Sequence, residues 1–536
     1  MIIRDDLSFR FVESPSLYDL LKECVPNLVR EDLPSRRTIR RRAEDYYISL
    51  KGQLKQFLQA LTSKISITLD MWTSVTQKPF IGVTAHWLTE HFEMQNVILA
   101  IECLPHPHTG EDIANYLLDL FEYFQVNEKI MGITSDNGTN VVKALDIVRD
   151  HLQVKVGRTI ALRRCCAHVL NLAVRRVDKY TKNQVFEQLP EDVQSTLSTY
   201  FSMITKVRQF VKRLHKSSSL AQEFRACLPQ RCSNATIPLD VATRWNSTFL
   251  MLSSYQMFVT TLETLFESSV HENIESLKLN DSEKVILKTT VDFFAPFYEV
   301  TTLLSANKYV TQGLSVTYMN ELHTIVQNTI ASHNENSFLY YLSTEIAEIL
   351  SKYKHCLEDH TCFIASVLDP RNKNKLIPQS LQTTVNAEHL KQEWRTYSNA
   401  VHATGSMTQN ATVSPTSNLE IPSVRTSTHA MLREIEFKRR RLDESELTEV
   451  ELYLNERLKP LDSYPLIYWN ANKQELPGMA ALARDYLSIQ ATSVAVEQLF
   501  SAAGRTATEE RAAMSEETVT ILVFVKSLLK HGFKLE

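Results

Sequence analysis

The chain has 536 residues, of which only 11 are glycine, about 2% against an average usage of about 7%. It contains neither the GxGxxG pattern of dinucleotide-binding folds nor the GxxxxGK[ST] pattern of P-loops. Both sites need glycines where the backbone approaches phosphate, so the sequence argues against a nucleotide cofactor. Lys and Arg number 58 against 62 Asp and Glu, a formal net charge of −4. Any site for a polyanion must therefore be a local patch.

Eight cysteines occur in this long chain, which has no N-terminal apolar signal segment. Such usage is typical of a reducing intracellular compartment rather than of disulfide-stabilised secreted proteins. No run approaches the 18 or more apolar residues of a membrane span. The sequence therefore predicts a soluble protein of the cytosol or the nucleus.

Basic residues cluster at two places. The first cluster comprises Arg36, Arg37, Arg40, Arg41 and Arg42, and the second is the KRRR run at 438–441. Each could contact phosphate or act as a nuclear import signal. A solvated helix face carries the same pattern and stays an alternative.

Short β-rich runs occur at 65–69 (ISITL), 80–88 (FIGVTAHWL) and 97–103 (VILAIEC). Their short connections predict an antiparallel meander. Thr109 then opens a helix, because Asp112 stands at the capping-box spacing and apolar residues recur on one helical face. With a fourth strand expected at 130–134 (IMGIT), the pattern indicates an α/β layered core.

From about 175 to 400 the pattern is helical, with few strand runs. The Ser-, Thr-, Asn- and Pro-rich stretch at 401–430 predicts a disordered linker. Ser493 and Ser515 each precede an apolar-periodic run, so two further helices are expected near the end of the chain. Residues 521–524 place apolar side chains all round the last helix, which should therefore be buried, and a partner subunit is one way to bury it.

Two acidic residues stand at the ends of predicted strands, Asp70 in LDMWTS and Asp136 in TSDNGTN. Carboxylates on neighbouring strands can hold Mg²⁺, which completes its shell with water and substrate phosphate. Two such ions can clamp an in-line displacement at phosphorus. The alternative is structural, because Asp136-Asn137-Gly138 is also a good turn sequence and an aspartate after a strand often caps the next element of the chain.

One interpretation of Cys165, Cys166 and His168 is that they bind a structural zinc ion, with Cys227 and Cys232 as possible distant partners. Structural zinc needs four ligands in paired spacings. The pairs here are Cys-x-x-His and Cys-x₄-Cys, and free cysteine usually behaves as a small hydrophobe. Packing in a buried helical segment is therefore favoured, and structural zinc is not expected.

Trp245 lies beside Arg244 in the run TRWNS. A tryptophan in such a run would ordinarily be a core or interface aromatic. Its alternative use is to stack on a nucleic-acid base while the neighbouring arginine contacts phosphate.

Taken together, these segments resemble the hAT superfamily of DNA transposases and the host proteins domesticated from it, including the BED-zinc-finger group. The matching pieces occur in the family's order: LDMWTS around Asp70, GITSDNGTNVVKAL around Asp136, RCCAHVLNLAV around His168, TRWNS around Trp245 and SVLDPRNK around Asp369. The C-terminal block YPLIYWNANKQELPGMAALARDYLSIQATSVAVEQLFSAAGR is the most specific part.

The resemblance implies an α/β fold, an RNase H-like mixed-sheet core interrupted by a large all-helical insertion, with a helical C-terminal dimerisation region. It places a DDE catalytic triad on Asp70, Asp136 and Glu497, which would hold Mg²⁺ or Mn²⁺. The expected organisation is a DNA-binding-like helical segment at 1–60, the first part of the core at 61–175, the insertion at 176–400, the linker at 401–430 and the C-terminal part at 445–536.

Two further motifs take their meaning from the resemblance. Cys165 and His168 match the family's Cys-x-x-His motif close to the active centre, and the family counterpart of Trp245 stacks near a flipped base at the transposon end. Relatives usually carry an N-terminal BED finger, but only Cys24 precedes residue 100 here. Either the chain derives from a truncated gene model or an element remnant, or DNA contact relies on 35–42, which resembles the helical stretch after the finger.

The first hypothesis for function is a transposase that cleaves and transfers a DNA strand by two-metal phosphoryl transfer. The alternative is a catalytically silent, domesticated dimeric protein that binds DNA or regulates transcription. A third hypothesis, a purely protein-interacting dimer, predicts no salt-sensitive DNA binding. The expected partners are double-stranded DNA at transposon ends and further copies of the chain, in the nucleus, with no membrane and no nucleotide cofactor.

Overall fold

The computed structural model describes most of the chain. The described residues are 1–74, 77–104, 108–181, 186–232, 234–241, 243–269, 271, 274–306, 309–335, 337–408, 448–506 and 514–533. They form two compact units, the first from Met1–Cys165, Ala306–Val316 and Cys356–Glu536, the second from Cys166–Ser305 and Thr317–His355. The basic run at 438–441 and residues 409–430 of the expected linker lie outside the described residues.

One mixed sheet forms the centre of the first unit. Its strands are β1 (Ile65–Thr73), β2 (Pro79–Leu88), β3 (Met94–Cys103), β4 (Ile130–Ser135) and β5 (Ala161–Arg164). They lie in the order β3-β2-β1-β4-β5. Neighbours among the first three strands are antiparallel, whereas β4 is parallel to both β1 and β5. The predicted meander is confirmed, but the sequence pattern does not predict β5, because four residues that include two arginines make no apolar run.

Helices make up most of the remaining described residues. The helices that precede Cys166, where the second unit begins, are α1 (Pro15–Cys24), α2 (Arg36–Ala60), α3 (Gly110–Phe124) and α4 (Thr139–Val156). The next are α5 (Cys166–Val174), α6 (Glu191–Lys216), α7 (Ser218–Cys227), α8 (Trp245–Met257), α9 (Val259–Ser268), α10 (Asp281–Leu304), α11 (Gln312–Ser332) and α12 (Phe338–Lys354). The last are α13 (His360–Val367), α14 (Thr384–Thr408), α15 (Glu449–Asn455), α16 (Pro465–Asn472), α17 (Pro477–Tyr486), α18 (Val494–Thr506) and α19 (Glu516–Lys530). No helix within the described ranges is long and apolar enough to cross a membrane.

Helix α3 begins at the capping box that its sequence predicts. The Thr109 hydroxyl accepts a hydrogen bond from the Asp112 N–H at 3.2 Å, and the Asp112 carboxylate accepts one from the Thr109 N–H at 2.8 Å. These bonds satisfy two backbone donors that a helix start leaves without intrahelical partners. The helix buries Ile113, Leu117 and Phe121 in the main apolar cluster of the unit.

The two faces of β1 differ in chemistry because side chains alternate along a strand. Ile65, Ile67 and Leu69 belong to the same apolar cluster as the buried residues of α3 and α4. Ser66 and Thr68 lie on the opposite face, where the Ser66 hydroxyl lies 3.0 Å from that of Ser488. The C-terminal part of the chain therefore covers a polar face of the sheet, and the predicted α/β core with a helical C-terminal region is confirmed.

Helix α19 is buried, as its all-round apolar pattern predicts. Ile521, Leu522, Val523 and Phe524 are each 6% exposed or less. The ring of Phe524 lies 5.0 Å from the ring of Tyr47 on α2. The chain's own first unit thus buries this helix without help from a second subunit.

The segment after α13 holds the returning C-terminal part in place. Lys373 is fully buried with a left-handed backbone (φ 46°), and its ammonium group donates to the carbonyls of Tyr453 and, at 3.0 Å, Glu456. The same group lies 4.4 Å from the centroid of the Tyr453 ring. Burial lowers the pKa of Lys373 to about 8.

We expect Lys373→Met to destabilise the protein, because it leaves two carbonyls without a donor, each at about 1–3 kcal/mol. Differential scanning calorimetry should show a midpoint lower by several degrees, since 1 kcal/mol corresponds to about 2–4 °C in a large domain. The matched control is Lys375→Met, two residues away and exposed. Equal midpoints for the two variants would contradict a structural role of the Lys373 ammonium group.

Candidate active site

The row of polar side chains along this face of β1 ends with an aspartate. Asp70 follows Ser66 and Thr68 on the same face of β1, at the point where the strand changes from buried to half-buried. The Met71 N–H donates to its carboxylate at 2.8 Å. The sheet therefore holds the Asp70 carboxylate at a fixed place at its edge.

A buried histidine lies on the same face of the sheet, opposite Ser66 in the strand register. His86 lies fully buried between the hydroxyls of Thr68 and Thr84, each 3.0 Å from Nε2. Burial lowers the pKa of His86 to about 3, so the imidazole is neutral at ordinary pH. Its role in the sheet is that of a neutral hydrogen-bonding group.

Asp136 lies directly after β4, the strand parallel to β1. Parallel neighbours end at the same edge of a sheet, which brings Asp136 towards Asp70. The Gly138 N–H donates to the Asp136 carboxylate at 3.3 Å. The turn expected from the sequence is thus present, and the carboxylate stays half-buried at the start of α4.

Helix α18 carries Glu497 to the polar face of the sheet. The helix can pack closely there because β2 has a glycine where the two elements touch. Gly82 is the Cα partner of Asp70. A Cβ atom on Gly82 would lie 2.5 Å from Val496 and 2.8 Å from Phe500, so any other residue would force these side chains of the helix to move. Only glycine lets α18 lie this close to the sheet beside Asp70.

Aromatic contacts on the same face of the sheet also hold this helix. The ring of Phe500 stacks on Trp72 of β1 at 5.6 Å and an interplanar angle of 22°. Trp72 also contacts Phe80 of β2 at 5.5 Å. The orientation of α18 relative to the first two strands is therefore set by packing within the first unit.

Cys165 connects the second acid to the third through two hydrogen bonds. Its N–H donates to the carbonyl of Ser135 at 2.7 Å, and its thiol sulfur accepts from the Ser493 N–H at 3.4 Å. Ser135 precedes Asp136, and the carbonyl of Ser493 accepts from the Glu497 N–H at 3.4 Å. The side chain of Cys165 is 1% exposed, so it supports the site through these buried hydrogen bonds.

The three acids influence one another electrostatically. Burial, together with the negative charges of Asp136 and Glu497, raises the pKa of Asp70 to about 7, against the opposing effect of the Met71 N–H. Such a pKa means that the surroundings of Asp70 disfavour its negatively charged form. Asp136 and Glu497 thus lie close enough to Asp70 to shift its pKa, while the catalytic role of the three acids stays a prediction.

Oxygen donors of this kind suit hard divalent cations, and a bound cation would favour the ionised form of Asp70 that the surroundings otherwise disfavour. The donor set thus fits Mg²⁺ or Mn²⁺ in chemistry. Within the described residues, no three His, Cys, Asp or Glu side chains stand arranged as a metal-binding cluster. That statement covers Asp70, Asp136 and Glu497 as well as the described cysteines and histidine of the zinc interpretation.

The predicted arginine cluster lies at the start of α2. Arg36, Arg37, Arg40, Arg41 and Arg42 are all exposed. Arg40 pairs with Glu44 at 3.0 Å and with Glu517 at 3.3 Å. The cluster is thus both a solvated helix face, as the alternative states, and a concentration of positive charge.

Trp245 is the first residue of α8 in the second unit, where it is 6% exposed. Its ring packs against Phe249 at 6.2 Å and Phe294 at 6.1 Å, and it lines a cavity of about 330 Å³. Arg244 is exposed. In this state Trp245 is a core aromatic at a cavity wall, and base stacking stays a prediction.

His168 lies half-buried on α5 in the second unit, whereas Cys165 ends the first stretch of the first unit. The Cys-x-x-His motif therefore spans the boundary between the units along the chain.

Sequence reasoning missed Gly82, although an isolated glycine inside a strand is a recognised sign of close backbone approach.

Three family models match parts of the chain. The ZBED1 RNase-like domain matches residues 68–159, the ZBED1 RNase-like helical domain matches 163–292, and the hAT family C-terminal dimerisation region matches 449–529. No BED-finger model matches.

Curated relatives match almost the whole chain at low identity. A putative AC transposase of Zea mays is 24% identical over 98% of this chain and 64% of its own length. A putative transcriptional regulator, tpeD, of Talaromyces stipitatus is 24% identical over 99% of this chain and 61% of its own length. Zinc finger BED domain-containing protein RICESLEEPER 2 of Oryza sativa subsp. japonica is 22% identical over 99% of this chain and 73% of its own length.

The chain thus spans about 64% of the length of the AC transposase that it matches. Its mixed sheet, its helical second unit and its helical C-terminal region correspond in order to the three matched models. By these matches and by the order of its motifs, the chain is similar to hAT-family transposases and the proteins derived from them.

Proposed function

We propose that the protein is a nuclear hAT-type transposase that cleaves a DNA strand at an element end and transfers it, with Asp70, Asp136 and Glu497 as the catalytic acids. One observation carries the proposal: burial and the charges of Asp136 and Glu497 raise the pKa of Asp70 to about 7. Acids so placed on a rigid sheet edge and a packed helix suit phosphoryl transfer.

The three carboxylates would hold Mg²⁺ or Mn²⁺, which when bound supplies a polarised nucleophile and stabilises the leaving oxygen. The protein's part is to hold these carboxylates in place. Gly82 admits α18 to the sheet, and Cys165 ties the residue before Asp136 to the start of α18. These contacts limit movement of the acids during the reaction.

Contact with double-stranded DNA is assigned to exposed arginines. Arg36, Arg37, Arg40, Arg41 and Arg42 occupy the first two turns of α2, where helix N–H groups and guanidinium groups favour phosphate. In the second unit, Arg244 is proposed to contact phosphate beside Trp245. A homodimer or larger homo-oligomer through the C-terminal region completes the proposal.

The second candidate is a catalytically silent, dimeric DNA-binding protein that regulates transcription. A relative named as a putative transcriptional regulator, 24% identical over 99% of this chain, favours it. Both candidates require DNA binding, so cleavage is the property that separates them.

We expect Glu497→Gln to abolish Mg²⁺-dependent nicking of duplex DNA that carries the element's own ends, because the substitution removes a charge without changing size. DNA binding, measured by fluorescence anisotropy, should be unchanged. The control is Glu475→Gln, an exposed glutamate of the same unit. Undiminished nicking by Glu497→Gln would refute the assignment, and DNA binding by the wild type without nicking would support the second candidate.

The raised pKa of Asp70 predicts a pH-dependent stability. In the unfolded chain Asp70 loses its proton near its ordinary value of 3.8, but in the folded chain it keeps the proton up to about pH 7. The wild type should therefore lose stability as pH rises from about 4 to 7, with the full penalty above 7.

Asp70→Asn removes this penalty, so its melting temperature should exceed that of the wild type by more at pH 8 than at pH 5. Asp119→Asn, on the exposed face of α3, should show no such trend. Adding Mg²⁺ at pH 8 should raise the midpoint of the wild type and leave that of Asp70→Asn nearly unchanged. A pH-independent difference between Asp70→Asn and the wild type would contradict the charge argument.

We expect Arg41→Gln to weaken binding to duplex DNA of any sequence and to reduce the salt slope of log K by about 1, as loss of one phosphate contact requires. Titrations at two or more salt concentrations measure both effects. Lys375→Gln, an exposed lysine elsewhere in the first unit, serves as the charge-matched control. Identical slopes for Arg41→Gln and the wild type would exclude Arg41 as a phosphate contact.

A further inference from the structure

The region that matches the family's dimerisation model, residues 449–529, is largely occupied by contacts within the chain. Helix α17 buries Met479, Leu482 and Ala483, each 0% exposed. Helix α18 packs on the sheet through Val496 and Phe500. With α19 buried as well, most apolar side chains of this region are already in contact with the chain's own core.

Two large apolar residues of the matched region remain exposed among its described residues. Ile467 is 69% exposed and Leu461 is 60% exposed. They lie near each other along the chain, at α16 and just before it. Of the matched positions 449–529, one short segment therefore offers the apolar part of a dimer contact.

The outer face of α16 has the composition of an interface. Pro465, Leu466, Tyr468 and Trp469 are buried, whereas Ile467, Asn470 and Ala471 are exposed. The exposed three stand at helical spacings of three and four residues, so they share one face. None is charged, and depletion of charge at the centre is what distinguishes interfaces from ordinary surface.

A groove lies beside this face in the same unit. It has a volume of about 660 Å³, and Tyr464 and Ile467 line it together with Phe92, Met94 and Gln95 from the turn and strand start of the β2–β3 hairpin. The charged Glu93 of the same turn also lines the groove. β3 is an edge strand of the sheet. The exposed Ile467 side chain and the groove therefore lie within one patch of the surface.

A two-fold dimer needs such a patch, because the same surface of each subunit must accept the other. We propose that a second copy of this chain docks on the face formed by Ile467, Asn470 and Ala471, each copy placing Ile467 against the groove of the other. This inference deepens the dimerisation part of the proposed function and rests on it. Continuity with the matched dimerisation region identifies the occupant as another copy.

The test is sedimentation velocity on the full chain across a range of concentrations, without DNA. Ile467→Asp places a charge at the centre of the proposed contact, and loss of a central apolar contact should weaken self-association at least about tenfold. The control is Val154→Asp on α4, since Val154 is 89% exposed and lies outside the matched region. Circular dichroism melting of each variant shows whether the fold is retained, as expected for exposed positions.

A dimeric wild type, a dimeric Val154→Asp and a weakened Ile467→Asp support the surface. Equal dimerisation of Ile467→Asp and the wild type would overturn it, as would equal weakening by both substitutions. A wild type that is monomeric at every concentration would overturn the surface and the dimer together. None of these outcomes depends on DNA cleavage, so the catalytic proposal stands or fails separately.

Discussion

The approach of α18 to the sheet at Gly82 is the contact on which the candidate active site depends. A Cβ atom there would lie 2.5 Å from Val496, so any other residue would disturb the packing of the helix on the sheet. The helix carries Glu497, and Gly82 stands opposite Asp70 in the strand register. One missing side chain therefore sets the spacing between an acid on the sheet and an acid on a helix.

The polar face of the sheet explains why this contact is made by a distant part of the chain. Thr134 donates to the carbonyl of Gln490, 356 residues further along, and Ser66 lies against Ser488. A face with buried hydroxyls needs polar partners, since an unpaired buried polar group costs about 1–3 kcal/mol. The segment between α17 and α18 supplies those partners and delivers Glu497 at the same time.

The sequence was sufficient for features that depend on neighbouring residues. The capping box at Thr109, the β-rich run at 65–69 and the all-round apolar pattern of α19 each predict what the structure contains. Features that depend on distant contacts were not predictable from pattern. Glu497 has the spacing of an ordinary helical glutamate, and only resemblance to a family selects it.

The same limit applies to the groups that support the acids. Cys165 looks like a zinc ligand or a small hydrophobe from its spacing, whereas its actual contacts are the backbone of Ser135 and Ser493. Strand β5 escapes prediction because its partner strand, rather than its own composition, makes it a strand. In each case the determining interaction joins residues that are far apart in the chain.

The division of the first unit into three chain segments has a consequence for how the molecule is made. Contacts such as Ser66 with Ser488 span 422 residues, and contacts of that separation close late in folding. At a synthesis rate of roughly 5–20 residues per second, roughly 20–80 seconds separate the emergence of the two partners from the ribosome. For most of that interval the nascent chain carries Asp70 and Asp136 without Glu497, so translation of nearly the whole chain is a precondition for an assembled set of acids.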